Sequence, residues 1–111
     1  MAIMSILHRA SGALLVLAIP YLAYLFSLSL ESEQGFMFVQ QHLSGIFVKL
    51  LILALGWGIL HHLLCGIRFL FIDFEIGVDK ATGRLTAWTV TIVAAAVAMV
   101  IGVIIMLGVV Q

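Results

Sequence analysis

The chain has 111 residues, of which 65% are hydrophobic and only 9% are charged. A soluble domain needs more polar residues than this to cover its surface, so the composition excludes a soluble globule and predicts an integral membrane protein. Five basic and five acidic residues give no net charge, which argues against a nucleic-acid partner. We therefore expect its partners within the lipid bilayer.

Three uncharged runs, at residues 10–30, 50–67 and 85–110, predict three membrane-spanning helices. Each comes close to or exceeds the roughly 18 to 20 residues that a helix needs to cross about 30 Å of hydrocarbon. With their flanks, we place the spans near 6–30, 46–70 and 85–110. Because the connections are short, we expect a single all-α domain, 1–111, folded as an antiparallel three-helix membrane bundle.

The first run begins near the N-terminus, as a signal peptide would. It is longer than a usual signal core, however, and has no Ala-x-Ala-like cleavage site. It also lacks the Arg- and Ser-rich amphipathic leader of a mitochondrial transit peptide. We therefore expect the first span to be retained, in a bacterial inner (plasma) membrane.

The segment SILHRASG places several polar side chains at the start of the first span. Ser5 and Arg9 are four residues apart and share a helix face. A hydroxyl and a guanidinium at the membrane interface can bind a carbonyl-bearing ligand such as a quinone, and His8, which pairs similarly with Gly12, could bind a haem propionate. The alternative is that Arg9 only extends to the lipid headgroups.

The distribution of charge predicts the orientation. Arg9 precedes the first span and three more basic residues lie within 68–84, whereas the connection between the first two spans begins with Glu31 and Glu33. Because cytoplasmic flanks are enriched in Lys and Arg, we predict a cytoplasmic N-terminus and a cytoplasmic 68–84 connection. We expect His42, in the external connection, to be a solvated side chain.

The second span contains two adjacent histidines. Successive helical residues point about 100° apart, so His61 and His62 cannot serve one flat ligand from the same face. His62 lies between Gly58 and Gly66, four residues away on either side, and these two gaps would admit a planar macrocycle. Since neutral imidazole is a good axial ligand for haem iron, this spacing favours His62 as a haem ligand. The alternative is a histidine that is hydrogen-bonded to a neighbouring helix.

The other polar residues of this span have separate predicted roles. His61 shares its stripe with Arg68, toward the cytoplasmic interface, where both could meet water or anionic groups. Cys65 is the only cysteine, which excludes an internal disulfide and favours a packing role.

The third span carries a stripe of small residues. Ala94, Ala98 and Gly102 recur every four positions, and such a stripe lets another helix approach closely. We expect a helix of a partner subunit to pack there.

Together, SILHRASG and HLLCGIRFLFID resemble the two signatures of the cytochrome b556 membrane-anchor family of succinate dehydrogenase, Ser-x-x-His-Arg-x-Ser-Gly and His-x-x-x-Gly-x-Arg-His-x-x-x-Asp. The resemblance covers essentially the whole chain. It implies a subunit that anchors the flavoprotein and iron–sulfur subunits, and that forms haem b and quinone sites with a second small membrane subunit. Such a subunit catalyses no reaction alone but passes electrons from succinate to ubiquinone or menaquinone.

The resemblance also implies roles for single residues. These are His62 as the axial haem ligand, Ser5 and Arg9 in the quinone pocket, and His8 and Arg68 near the haem propionates. The chain departs from the family pattern at Phe69, where the second signature usually has histidine, so one polar contact to the haem edge is missing or supplied elsewhere. It also has only four residues before Ser5, which suggests either a different start or fewer cytoplasmic docking contacts.

Two other functions fit the sequence. One is the related fumarate reductase anchor, which works in the reverse direction. The other is a haem-free small membrane scaffold or transporter accessory subunit, in which the histidines only pack.

Overall fold

The computed structural model describes residues 2–108, and this part of the chain folds into four α-helices with no strand. They are α1 (Ala2–Glu31), α2 (Glu33–Ser44), α3 (Ile46–Asp73) and α4 (Lys80–Met106). Helices α1, α3 and α4 are long and apolar enough to cross a membrane, which confirms the predicted all-α membrane architecture. Residues 109 and 110 of the third predicted span lie outside the described residues.

The connection predicted between the first two spans contains the short helix α2. Its N-cap is Ser32, whose hydroxyl accepts a hydrogen bond of 3.0 Å from the backbone N–H of Gly35. His42 on this helix is half-buried and shares a hydrogen bond of 2.8 Å with the hydroxyl of Tyr21 on α1. The expectation of a solvated His42 is therefore wrong, because α2 folds back against the end of α1.

Helix α3 lies between α1 and α4, and it packs against both of them, whereas α1 and α4 scarcely touch each other. The buried residues of α1 recur every seven positions, at Met4, Ser11, Ala18 and Leu25, and so form one stripe that faces the bundle interior. The Cα atoms fill a slab of 55 × 28 × 18 Å. Most large apolar side chains remain on its outside, as a bilayer environment requires.

The small-residue stripe of α4 packs within this chain. Ala94, Ala98 and Gly102 are all buried, and a Cβ atom built on Gly102 would lie 2.9 Å from Cδ1 of Leu53 on α3. The small side chains thus let α3 approach α4. The expectation that a partner subunit packs on this stripe is wrong, since α3 already occupies it.

Arg68 joins α3 to α4 near their connection. It is only 6% exposed, and its Nε donates to Oγ1 of Thr86 at 3.1 Å while Nη2 donates to the carbonyl of Gly83 at 2.9 Å. At the start of α4, the Asp79 carboxylate accepts a hydrogen bond from the backbone N–H of Thr82, which lowers the pKa of Asp79.

Candidate functional site

His8 of α1 and His62 of α3 form a stacked pair, which we call the histidine pair. Their ring centroids are 4.1 Å apart and their planes differ by 5°. The ring of Phe69 packs edge-on against His8, with the two ring centroids 5.2 Å apart. Two residues that were separately predicted to serve a haem are therefore brought together, at the seam between α1 and α3.

A hydrogen bond fixes the tautomer of His62. Its Nδ1 lies 3.0 Å from the backbone carbonyl oxygen of His8, and because a carbonyl can only accept, Nδ1 must carry the proton. The other ring nitrogen, Nε2, then keeps its lone pair. Metal-binding histidines are commonly held in this way, with one ring N–H donated to a carbonyl and the other nitrogen free to coordinate.

Ser11 completes the contact around Nδ1. Its side chain is 1% exposed, its hydroxyl donates to the same His8 carbonyl at 2.9 Å, and its oxygen lies 3.3 Å from Nδ1 of His62. No role for Ser11 was predicted from the sequence. Its position beside His8 in SILHRASG was visible, but the histidine that it serves is 51 positions away.

The lack of a side chain at Gly12 makes room for the His62 ring. A Cβ atom at this position would lie 2.8 Å from Cε1 of His62, closer than carbon atoms pack. Glycine therefore allows α1 and the imidazole to approach, and any larger residue would push the ring away. The structural partner of Gly12 is thus His62, and not the His8 predicted from the helical spacing.

The two glycines that flank His62 do not leave open gaps. A Cβ on Gly58 would lie 3.6 Å from Cδ2 of Leu14, and one on Gly66 would lie 3.8 Å from Nε2 of His8. Side chains of α1 therefore lie beside both glycines, and the expectation that a macrocycle enters there stays a prediction. His62 itself is only half-buried, so a ligand has to reach it from the outer surface of the α1–α3 seam.

The donor set still fits a haem. His62, with the lone pair of Nε2 available, could supply one ligand to a haem iron. Among residues 2–108, no group of three or more His, Cys, Asp or Glu side chains is arranged to hold a bare metal ion.

His61 lies on a different face of α3, about 100° around the helix from His62, and is buried inside the bundle. Its side chain is fully buried, neither ring nitrogen has a hydrogen-bond partner, and the ring stacks on Trp57 with centroids 5.1 Å apart. His61 and Arg68 were expected to meet water or anionic groups at the interface. This expectation is wrong for His61, because its side chain is fully buried. Cys65 is free and buried, in keeping with a packing role.

Ser5 and Arg9 lie on α1 away from its buried stripe. Ser5 is half-buried and Arg9 is exposed. At about 100° per residue, both point far from the direction of Met4 and Ser11. They therefore face lipid or another subunit rather than the interior of this chain, and their role toward a quinone stays a prediction.

These features define a multi-pass membrane subunit that presents one oriented histidine at a seam between two spans. The model of the succinate dehydrogenase/fumarate reductase transmembrane subunit family matches residues 1–107. The chain belongs to this family, which confirms the resemblance read from the two motifs.

Curated relatives agree with this assignment. The chain is 36% identical over 94 residues to the succinate dehydrogenase cytochrome b556 subunit of Coxiella burnetii, covering 84% of this chain and 75% of that protein. The proteins of the same name from Rickettsia bellii and Rickettsia felis are 34% and 30% identical over 89 residues, covering 80% of this chain and 69% and 68% of theirs.

The tautomer of His62 can be tested without a cofactor. In the full chain labelled with ¹⁵N-histidine and reconstituted in nanodiscs, at a pH where the imidazole is neutral, we expect the His62 signals to show a protonated Nδ1 and an unprotonated Nε2. A His62→Gln spectrum identifies these signals. Gly12→Val should displace the ring and abolish this preference, and a wild-type His62 protonated at Nε2 would contradict the geometry.

Proposed function

We propose that this chain is the haem b-binding membrane anchor of a succinate dehydrogenase, a non-catalytic subunit of a succinate:quinone oxidoreductase. Family membership supports the enzyme. The bond of 3.0 Å from Nδ1 of His62 to the His8 carbonyl carries the proposal for haem, because it prepares Nε2 as a ligand before any iron arrives.

When bound, haem b supplies a one-electron carrier within the membrane. His62 would hold it from α3, and a second small membrane subunit would contribute the other axial histidine and share the haem. His8, stacked on His62 and contacted by Phe69, restricts the plane of the ligand ring. Its own imidazole could also bind a haem propionate.

Arg68 is the second proposed neighbour of the propionates. Its guanidinium already donates to Thr86 and Gly83 of α4, so a propionate contact would come in addition to these bonds. The guanidinium of Arg68 lies over the ring of Phe69, with its Cζ atom 5.8 Å from the ring centroid. The usual histidine of the family at this position would be polar; here an apolar ring supports both Arg68 and His8 instead.

We place the quinone, ubiquinone or menaquinone, at the start of α1. The Ser5 hydroxyl and the Arg9 guanidinium are donors that can bind a carbonyl oxygen. Because both lie on the outer side of α1, the pocket needs walls from the iron–sulfur subunit, which delivers the electrons from the flavoprotein, and from the second membrane subunit. This arrangement requires the N-terminus to be on the cytoplasmic side of a bacterial inner membrane.

A second candidate is the anchor of a fumarate reductase, since the family description includes both enzymes. The two differ in direction, so the ratio of succinate oxidation to fumarate reduction by the purified complex decides between them. A haem-free scaffold would give no b-type absorption band in the reduced-minus-oxidised spectrum of that complex.

The haem assignment predicts different results for the two adjacent histidines. His62→Ala should lower haem per flavin in the purified complex by at least about tenfold, because the iron loses an axial ligand. His61→Leu, which fills a similar volume inside the bundle, should leave the spectrum six-coordinate. The opposite pattern would transfer the ligand role to His61, and an unchanged spectrum in both variants would end the case for haem ligation by α3.

The quinone assignment predicts a selective loss of activity. Arg9→Leu and Ser5→Ala should reduce succinate-to-quinone activity by roughly ten- to a hundredfold, the value of a lost charge-assisted hydrogen bond of about 1.5 to 3 kcal/mol. Succinate oxidation by a soluble acceptor should stay near normal. Arg9→Lys should not restore the activity, because it lacks the guanidinium fork.

Lys49→Leu, which removes a charge from the far end of the bundle, is the matched control for this measurement. Flavin content is held equal in all samples. Equal losses in both assays would indicate failed assembly, and full activity of Arg9→Leu and Ser5→Ala would remove these residues from the quinone site.

Labelling in intact cells tests the orientation. A cysteine at Gln34, exposed on α2, should react with a membrane-impermeant thiol reagent, and one at Val78, exposed in the connection between α3 and α4, should react only after the cells are opened. The native Cys65 is buried and should give little background. Labelling of the Val78 variant in intact cells would reverse the proposed topology.

A further inference from the structure

A groove opens between the first turns of α1 and α4, on the side of α1 away from Ser5 and Arg9. Its volume is about 420 Å³. The buried side chain of Met4 lies at its floor, and the exposed side chains of Ile3 and Trp88 stand at its rims. The groove exists because α3 separates the two helices, so their ends leave a space that no side chain of the described residues fills.

Two basic residues stand at the membrane-surface end of this groove. Lys80 and Arg84 both line it and are one helical turn apart on the same face of α4. Both are exposed, and neither makes a side-chain hydrogen bond or ion pair with another of residues 2–108. The neighbouring Asp79 accepts from the backbone N–H of Thr82 at the helix start. The two cations are therefore available to an external anion.

Below these cations the groove is mainly apolar, and the groove with its two basic residues is about as long as one lipid leaflet is thick. Its α4 wall runs from Lys80 to Thr91, a rise of about 17 Å, which is about half of the roughly 30 Å hydrocarbon thickness. Leu7 and Ala87 are half-buried in the walls. Trp88 lies one turn below Arg84, and tryptophan is the residue most typical of this depth.

We infer that this groove binds one anionic glycerophospholipid. The phosphate lies between Lys80 and Arg84, and an acyl chain follows Leu7 and Ala87 past the indole of Trp88. Charge complementarity decides the headgroup, since the ammonium of a zwitterionic lipid would offset the attraction of its phosphate to two cations. Two basic residues are fewer than a polybasic surface segment carries, so the groove must contribute the apolar part of the affinity.

The site is independent of the haem and quinone proposals. It shares no residue with the histidine pair or with Ser5 and Arg9. Its failure would leave both of those proposals unchanged.

Fluorescence quenching by brominated lipids tests the inference directly, because Trp88 lines the groove. In the full chain carrying Trp57→Phe, Trp88 is the only indole. In nanodiscs of unbrominated phosphatidylcholine, added dibrominated phosphatidylglycerol should quench Trp88 at a mole fraction at least about fivefold lower than dibrominated phosphatidylcholine does. Equal quenching by the two lipids would overturn the proposal.

Three variants distinguish binding in the groove from a general attraction of anionic lipid to the basic residues at the membrane surface. Lys80→Gln with Arg84→Gln should abolish the preference for phosphatidylglycerol, whereas Lys49→Gln at the other end should retain it. Ala87→Phe fills the groove and keeps both charges, so it should also abolish the preference. Persistence of the preference in Ala87→Phe, or in the doubly neutralised chain, would show that the groove does not select the lipid.

Two controls complete the design. The converse protein, Trp88→Phe with Trp57 retained, should be quenched equally by both lipids, because Trp57 is half-buried against His61 on α3 and does not line the groove. In the assembled complex, the double Lys80→Gln and Arg84→Gln variant should co-purify with less anionic phospholipid, measured by mass spectrometry. Unchanged lipid content there would mean that another subunit covers the groove, and would overturn the site in the complex.

Discussion

The hydrogen bond from Nδ1 of His62 to the carbonyl of His8 governs how α1 and α3 meet. A neutral imidazole without a partner is costly to bury in hydrocarbon, so this contact contributes more by avoiding that penalty than the roughly 1 kcal/mol net value of an ordinary hydrogen bond. It forms only because Gly12 has no side chain to keep the ring away. Ser11 then supports the same carbonyl. The register of α1 against α3 and the tautomer of His62 thus have one common cause.

The same rule holds at the other seams. The packing of apolar side chains gives little preference for one helix neighbour over lipid, so polar contacts and close approach decide which faces meet. Arg68 joins α3 to α4 through Gly83 and Thr86, and Tyr21 joins α1 to α2 through His42. His61 is the exception, since its two ring nitrogens have no partner among the described residues. Its ring stacks on Trp57, but this contact gives neither nitrogen a hydrogen bond.

The long spans were predictable because a bilayer demands about 20 apolar residues from each helix, whatever that helix packs against. Helix α2 was not predicted, since its 12 residues are too few and too polar to stand out as a span, although Ser32 before it and Gly45 after it are typical helix boundaries. The stripe at Gly102 correctly indicated close approach but could not say which helix approaches. Likewise, nothing local in SILHRASG links Ser11 to His62, because that contact depends on the pairing of two spans.

The position of the histidine pair explains why such a chain would work only within an assembly. One side of helix α3 packs on α4, where Arg68 bonds to Thr86 and Gly83, and another side packs on α1, where His62 bonds to His8. That leaves His62 half-buried at the edge of a slab only 18 Å thick, too thin to enclose a macrocycle. An oriented ligand on an open surface is the form that a shared cofactor requires, since each protein contributes one side and neither can close the site alone. Under the proposed function, a second membrane subunit would cover the exposed apolar surface beside the seam.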